Sequence, residues 1–145
     1  ARRRRRVARA LARLCAALPK AELHAHLHGS ARLSTIGELG GAAAALELRA
    51  IEAGDERSLA QCFAIFGHIH GAVTSAAAVK RIALEVLADF AAENVRYLEL
   101  RTTPRALADA DAEGCVRAVL AEMSRFEARR PRAMASVERA HARNA

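Results

Sequence analysis

The stretch AELHAHLHGS, residues 21–30, decides how the chain is read. Its side chains alternate, with Ala21, Leu23, Ala25 and Leu27 on one side and Glu22, His24, His26 and His28 on the other. Alternation with a period of two predicts a β-strand with one apolar and one polar face. Half of the six histidines fall in this one segment. Residues two apart on a strand project to the same side, with about 6.6 Å between their α-carbons. Two imidazoles so placed can converge on one metal ion at bond lengths near ~2.0–2.1 Å, and neutral imidazole suits zinc. His24 and His26 are therefore candidate metal ligands. A pair of strand histidines also fits a structural or surface role, and the string alone leaves both readings open.

Upstream, a helix-like pattern runs from Val7 to Leu18 and stops at Pro19, which pushes the preceding residue out of helical geometry. Downstream, Gly29 permits a sharp exit, and Ser34 or Thr35 is expected to cap a short helix with Glu38 as capping-box partner. A second helical piece, AAAALELRAI, is expected before the break at Gly54 and Asp55. Ser58 then heads a helix with Leu59, Cys62, Phe63, Phe66 and Ile69 on one stripe and with His68 and His70 in its last turn. After Ser75 the spacing of Val79, Ile82, Ala83, Val86, Leu87 and Phe90 predicts the clearest amphipathic helix of the chain. Asn94 ends it, VRYLELRTTP reads as a second strand closed by Pro104, and Val116, Val119, Leu120, Met123 and Phe126 mark another helix. RAMASVE, after Pro131, reads as a third strand. Strands alternating with helices imply an α/β fold with a parallel sheet and right-handed crossovers. Three strands leave sheet edges open, so a closed barrel or a wider sheet needs more chain.

Hydrophobic residues make up 52% of the 145 but aromatic residues only 3%, so the core must be built from Ala, Leu, Val and Ile. Such a core buries little area per residue. The formal charge of +7 comes largely from the run Arg2–Arg6 and from the stretch 125–143. A basic run can bind phosphates, but no aromatic residue is interleaved here to stack on bases, and a solvated tail or an Arg-rich import segment fits as well. Cys15, Cys62 and Cys115 are odd in number and far apart, which excludes a disulfide framework and a CxxC zinc site and suits a reducing, cytoplasmic compartment. Import of the arginine-rich start into an organelle stays open. Charged residues interrupt every apolar stretch before the ~20 residues a membrane span needs. Neither a membrane nor nucleic acid is an expected partner.

Three segments together, LPKAELHAHLHGS (18–30), CFAIFGHIHGAVTS (62–75) and FAAENVRYLELRTTPR (90–105), resemble the adenosine deaminase family of metal-dependent amidohydrolases. The match is closest to its adenosine deaminase-like branch, which acts on N(6)-methyl-AMP; the ending MASVERA is similar to the family's third barrel strand. The resemblance implies the amino-terminal part, about three strands, of a (β/α)8 TIM barrel. Residues 18–145 are its truncated piece and 1–17 a basic helical leader. It implies one Zn2+ held in part by His24 and His26, with His26 also near the substrate. The activity implied is hydrolytic deamination of a purine nucleotide or nucleoside, converting N(6)-methyl-AMP to inosine monophosphate. Substrate contacts implied are His26, His28, His70, Thr102, Thr103, Pro104 and Arg105.

Relatives carry Asn or Asp where His28 stands, and Asp where Glu138 stands. A protonated imidazole at 28 would suit a phosphate. From the residues themselves, the hydroxyls of Thr102 and Thr103 with the Arg105 guanidinium could surround an anion, and a capping turn with Arg105 in solvent fits equally well. Glu99 and Arg101 are read as structural partners. No catalytic acid or base is expected within these residues, so the piece by itself is expected to be inactive, and the complete protein to be a monomer. Two other readings stand beside the deaminase. One is a non-catalytic basic module for nucleic acid or another acidic partner, the other a different amidohydrolase with an HxH pair.

Overall fold

A computed structural model describes residues 2–40 and 58–129. The helical piece 42–51, the third strand over 132–138, Glu138 and His141 lie outside the described residues. Helix α1 spans Arg2–Ala17, strand β1 Lys20–His26 and a 3-10 turn His28–Ser30. Residues 33–40 are helical (α2). Helices α3 (Leu59–Ala72) and α4 (Ala76–Ala92), strand β2 (Val95–Arg101) and helix α5 (Ala112–Arg129) follow. The two strands pair in parallel, with Lys20 opposite Val95, Glu22 opposite Leu98 and His26 opposite Arg101. Parallel neighbours need a crossover, and α3 and α4 lie in that crossover. The expected α/β class is the one observed.

Helix α4 forms the centre of the core because its spacing delivers one continuous apolar face: Ala78, Val79, Ile82, Ala83, Val86 and Leu87 are all buried. They meet Leu98 of β2 and Val119, Met123 and Phe126 of α5 within one cluster. Each fully buried Val, Leu or Ile contributes about 1.5–3 kcal/mol, so with few aromatics the cluster depends on the number of such residues. The helix begins as its sequence requires. Ser75 is extended, and its hydroxyl accepts from the Ala78 amide at 3.2 Å. It ends at Asn94, whose φ of 60° places it in the left-handed region that Asn tolerates better than most residues. The same side chain donates to the Ala17 carbonyl at 2.6 Å and accepts from Arg96 at 2.8 Å, so one residue stops α4, starts β2 and ties down the end of α1.

Several expectations are corrected. Helix α1 begins at Arg2, five residues before Val7, because arginine and alanine are good helix formers. Helix α2 begins before Ser34 and Thr35, so there is no capping box. The Thr35 hydroxyl instead donates to Glu85 at 2.6 Å, and Glu38 accepts from Arg81 at 2.5 Å. Of the α3 stripe, Ile69 is in the core while Phe63 is 65% exposed and Phe66 38%. On α5, Leu120 is exposed, and Cys115, Ala118 and Glu122 take the inner positions, the carboxylate of Glu122 accepting from Arg125 at 2.8 Å. Strand β2 stops at Arg101, three residues short of Pro104. Glu99 accepts from the Tyr97 hydroxyl at 3.0 Å.

Candidate functional site

Both strands run the same way, so their carboxyl ends open on one edge of the sheet, where α/β folds place ligand sites. Past His26 the pairing continues for one more bond, the Leu27 amide donating to the Arg101 carbonyl at 2.8 Å. The chain then turns. The expected polar face of four side chains is therefore broken after His26, and the histidines are sorted into two pairs.

The first pair is His24 and His26, both exposed, with ring centroids 5.0 Å apart and planes tilted by 37°. The strand puts them on one side, and Glu22 steadies the backbone by accepting from the His24 amide at 3.1 Å. The donor chemistry, two adjacent imidazoles open to solvent, fits two ligands of a zinc-type ion. Among the described residues no group of three His, Cys, Asp or Glu could hold a metal.

The second pair is His28 and His70, edge to face with centroids 4.5 Å apart at 79°. The 3-10 turn carries His28 inward until it is only 5% exposed. Burial pushes its pKa down to about 4, helped by the neighbouring His70 and the Arg105 charge. His70 is lowered in the same way, first by burial and then by Arg105. His28 is thus neutral near pH 7, so the protonated imidazole that would suit a phosphate is not the form present there.

Arg105 joins this pair from the β2 side. Its Nη2 donates to the His70 carbonyl at 2.9 Å and also to the Val73 carbonyl, closing off the end of α3. Its guanidinium is thus bonded to carbonyls and is not free in solvent. Three buried polar atoms here have no hydrogen-bond partner: His28 Nε2, Thr102 Oγ1 and Arg105 Nε. Unsatisfied buried groups cost about 1–3 kcal/mol each, which makes their gathering at the strand ends informative. Thr103 is exposed and Pro104 half-buried beside them. His68 is exposed.

Sequence reasoning missed Phe66, which it assigned to a core stripe. A Cβ on Gly29 would lie 3.4 Å from the Phe66 ring and 3.5 Å from the His26 Cβ. The glycine therefore lets an aromatic ring approach beside the His26 side of the mouth. The glycine after HxHxH was the only sequence signal for this close approach.

The sequence model of the adenosine deaminase family matches residues 19–134. An N6-mAMP deaminase of Arabidopsis thaliana is 47% identical over 94 residues, covering 61% of this chain and 26% of that protein. Among solved structures, arabidopsis ADAL complexed with GMP superposes with a TM-score of 0.69 at 36% identity, over 87% of this chain and 40% of that one. An ADAL–IMP complex gives 0.67 at 39% identity, over 77% and 35%. A Burkholderia ambifaria amidohydrolase with bound Zn gives 0.52 at 25%, over 84% and 35%. The chain spans about a quarter of the length of the curated relatives it matches. Its parallel strands and helices are the amino-terminal part of a (β/α)8 barrel.

Proposed function

The chain belongs to the adenosine deaminase family, and from that premise we propose that it supplies two metal ligands and one substrate wall of a zinc-dependent purine nucleotide deaminase. The reaction is hydrolysis of N(6)-methyl-AMP, in which water adds at carbon 6, methylamine leaves and IMP remains. The relatives named for N6-methyl-AMP and the neighbours holding IMP and GMP support this substrate class. The observation that carries the reading is the placing of His24 and His26 on one side of β1 at its carboxyl end, centroids 5.0 Å apart. His24 and His26 would hold the zinc, which when bound supplies a water acidic enough to be ionised near neutral pH.

The remaining roles follow from the chain's own groups. His26, beside Phe66, borders the base. Neutral His28 and His70 offer one donor and one acceptor each to uncharged parts of the substrate. Thr102, Thr103 and Arg105 line the side for the phosphate, with Pro104 fixing the turn. The Arg105 charge acts there through its field and its unpartnered Nε, because Nη2 is engaged with carbonyls. Residues 18–145 form the barrel portion and 1–17 a basic leader; the complete protein acts as a monomer in a reducing compartment, where Cys15 stays a thiol. Two imidazoles hold zinc weakly and no catalytic acid or base is assigned here, so the 145 residues alone do not turn over substrate. Zinc content and N(6)-methyl-AMP hydrolysis of the full-length protein test the reading: both vanish in His24→Ala and His26→Ala, and retention of both overturns it.

A further inference from the structure

Helix α1 is the one described helix of which no residue is buried. It carries Arg2, Arg3, Arg4, Arg5, Arg6, Arg9 and Arg13 and none of its own residues is acidic. Taken at about 100° per residue, an apolar stripe and an arginine stripe separate, with Arg3 and Arg4 flanking the apolar one at its amino-terminal end. Val7, Leu11, Leu14 and Leu18 fall within about 60° of one another, and Arg2, Arg6, Arg9 and Arg13 within a similar arc about 140° away. Leu18 keeps the phase although it follows the helix, because its amide donates to the Leu14 carbonyl at 3.0 Å. The four apolar side chains are 50–60% exposed. Arg2, Arg5, Arg6, Arg9 and Arg13 line one groove on the other side.

We propose that α1 is an interfacial anchor that lies on anionic lipid membranes, its leucine stripe in the acyl boundary and its arginines on the lipid head groups. Three other occupants each satisfy only half of the helix. A second copy of α1, or the segment 130–145 with Arg130, Arg132, Arg139 and Arg143 against the single acid Glu138, brings like charge to the arginine face. Nucleic acid would neutralise the arginines but leave the apolar stripe in water, and α1 has no aromatic residue to stack on bases. An anionic bilayer takes both faces at once, since long arginine side chains reach back from the sides to the head-group plane. No described helix is long and apolar enough to cross a membrane. The anchor therefore lies along the bilayer surface and not across it. The placement leaves the site free. Helix α1 enters β1 at Lys20, and His26 stands six residues on, roughly 20 Å away at the strand's rise.

The test uses the full-length protein and sedimentation with phosphatidylcholine vesicles, alone and with about one-third phosphatidylserine, a content that gives a negative surface potential. Binding is expected only to the anionic vesicles. It should fall roughly fivefold for each of Arg2, Arg6, Arg9 and Arg13 changed to Gln, the fold-change that corresponds to about 1 kcal/mol per surface charge. Val7→Gln with Leu11→Gln should weaken it at least as much, while zinc content and deamination stay unchanged. Absence of vesicle binding overturns the proposal. So does arginine-dependent binding indifferent to Val7→Gln and Leu11→Gln, which is the behaviour of a polyanion site, or a preference for duplex or single-stranded DNA over the vesicles at equal charge.

Discussion

Two histidine pairs stand side by side at the carboxyl end of β1 and differ in every physical respect but residue type. His24 and His26 are exposed, on a strand, with ring centroids 5.0 Å apart and planes tilted by 37°. His28 and His70 are drawn inward, edge to face, one on a 3-10 turn and one on the last turn of α3. The open pair contributes little to the fold and is available to an ion. Burial and Arg105 lower the pKa of both members of the closed pair and so favour their neutral forms; the pair joins elements and presents hydrogen-bonding atoms. One change of backbone, from strand to turn after His26, divides the two tasks.

The largest effect that can break this division is on the open pair. In the full-length protein, His24→Ala or His26→Ala should remove stoichiometric zinc and lower kcat/KM by at least about a thousandfold, since metal assistance supplies several kcal/mol of barrier lowering. Thermal stability of the metal-free forms should hardly change, surface substitutions lying within about ±0.5 kcal/mol. A large loss of stability in the metal-free variants would show that the open pair is structural after all.

The closed pair should answer in the opposite order, first in stability and then in turnover. An imidazole with a folded pKa of about 4 and an unfolded value near ~6.5 leaves the unfolded chain binding more protons between those values. Stability is therefore full above the unfolded value, declines as pH falls below it and has lost up to about 3 kcal/mol by pH 4. His28→Asn removes that titration while keeping a hydrogen-bonding side chain. Melting curves from pH 7 to pH 4 should show a shallower fall for the variant than for the parent; parallel curves would mean that His28 is not held neutral.

Much of this was legible beforehand, and the rest failed for local reasons. The period-two run showed β1 and the two open histidines, because a strand converts sequence spacing directly into a shared face. The three- and four-residue spacing from Val79 to Leu87 showed α4 and its core for the same reason. The inward turn of His28 was not legible, since alternation says nothing about where a strand stops. Arg105 was weighed as an anion ligand or a solvated side chain. Its actual bonds, to carbonyls of His70 and Val73, are contacts between segments more than 30 residues apart, which no local pattern encodes. Phe63 and Leu120 fit their helical stripes but lie outside the core, because periodicity identifies a face and not what covers it.

Arg105 offers the next sharpening, because its bonds join it to the closed pair while the proposed function also gives its charge to the substrate wall. Arg105→Ala leaves two half-buried carbonyls without a donor, and charged hydrogen bonds of this kind contribute about 1.5–3 kcal/mol, so a drop in stability is expected. If its charge also serves the phosphate, the variant's KM should rise much more for the monophosphate than for adenosine. Equal rises for both would confine Arg105 to tying α3 to β2.

The smallest expected effect lies away from both pairs, where Arg32 holds Asp89 in a fork with bonds of 2.8 and 2.6 Å. The guanidinium keeps the Asp89 carboxyl below its usual range, so the pair's contribution is present above the unfolded carboxyl pKa and lost as pH falls through the lowered folded value. Both side chains are nearly half exposed, at 46% and 47%, and water and salt screen such pairs strongly. Asp89→Asn should thus cost little at neutral pH, and less still at high salt. The cost should vanish below the carboxyl range, a lower pH window than the one in which His28 acts. Melting curves of Asp89→Asn and His28→Asn across the same pH series therefore separate a screened surface pair from a buried imidazole. A cost for Asp89→Asn that matched the His28 effect in size, or ignored salt, would show that α2 and α4 depend on this fork far more than its exposure allows.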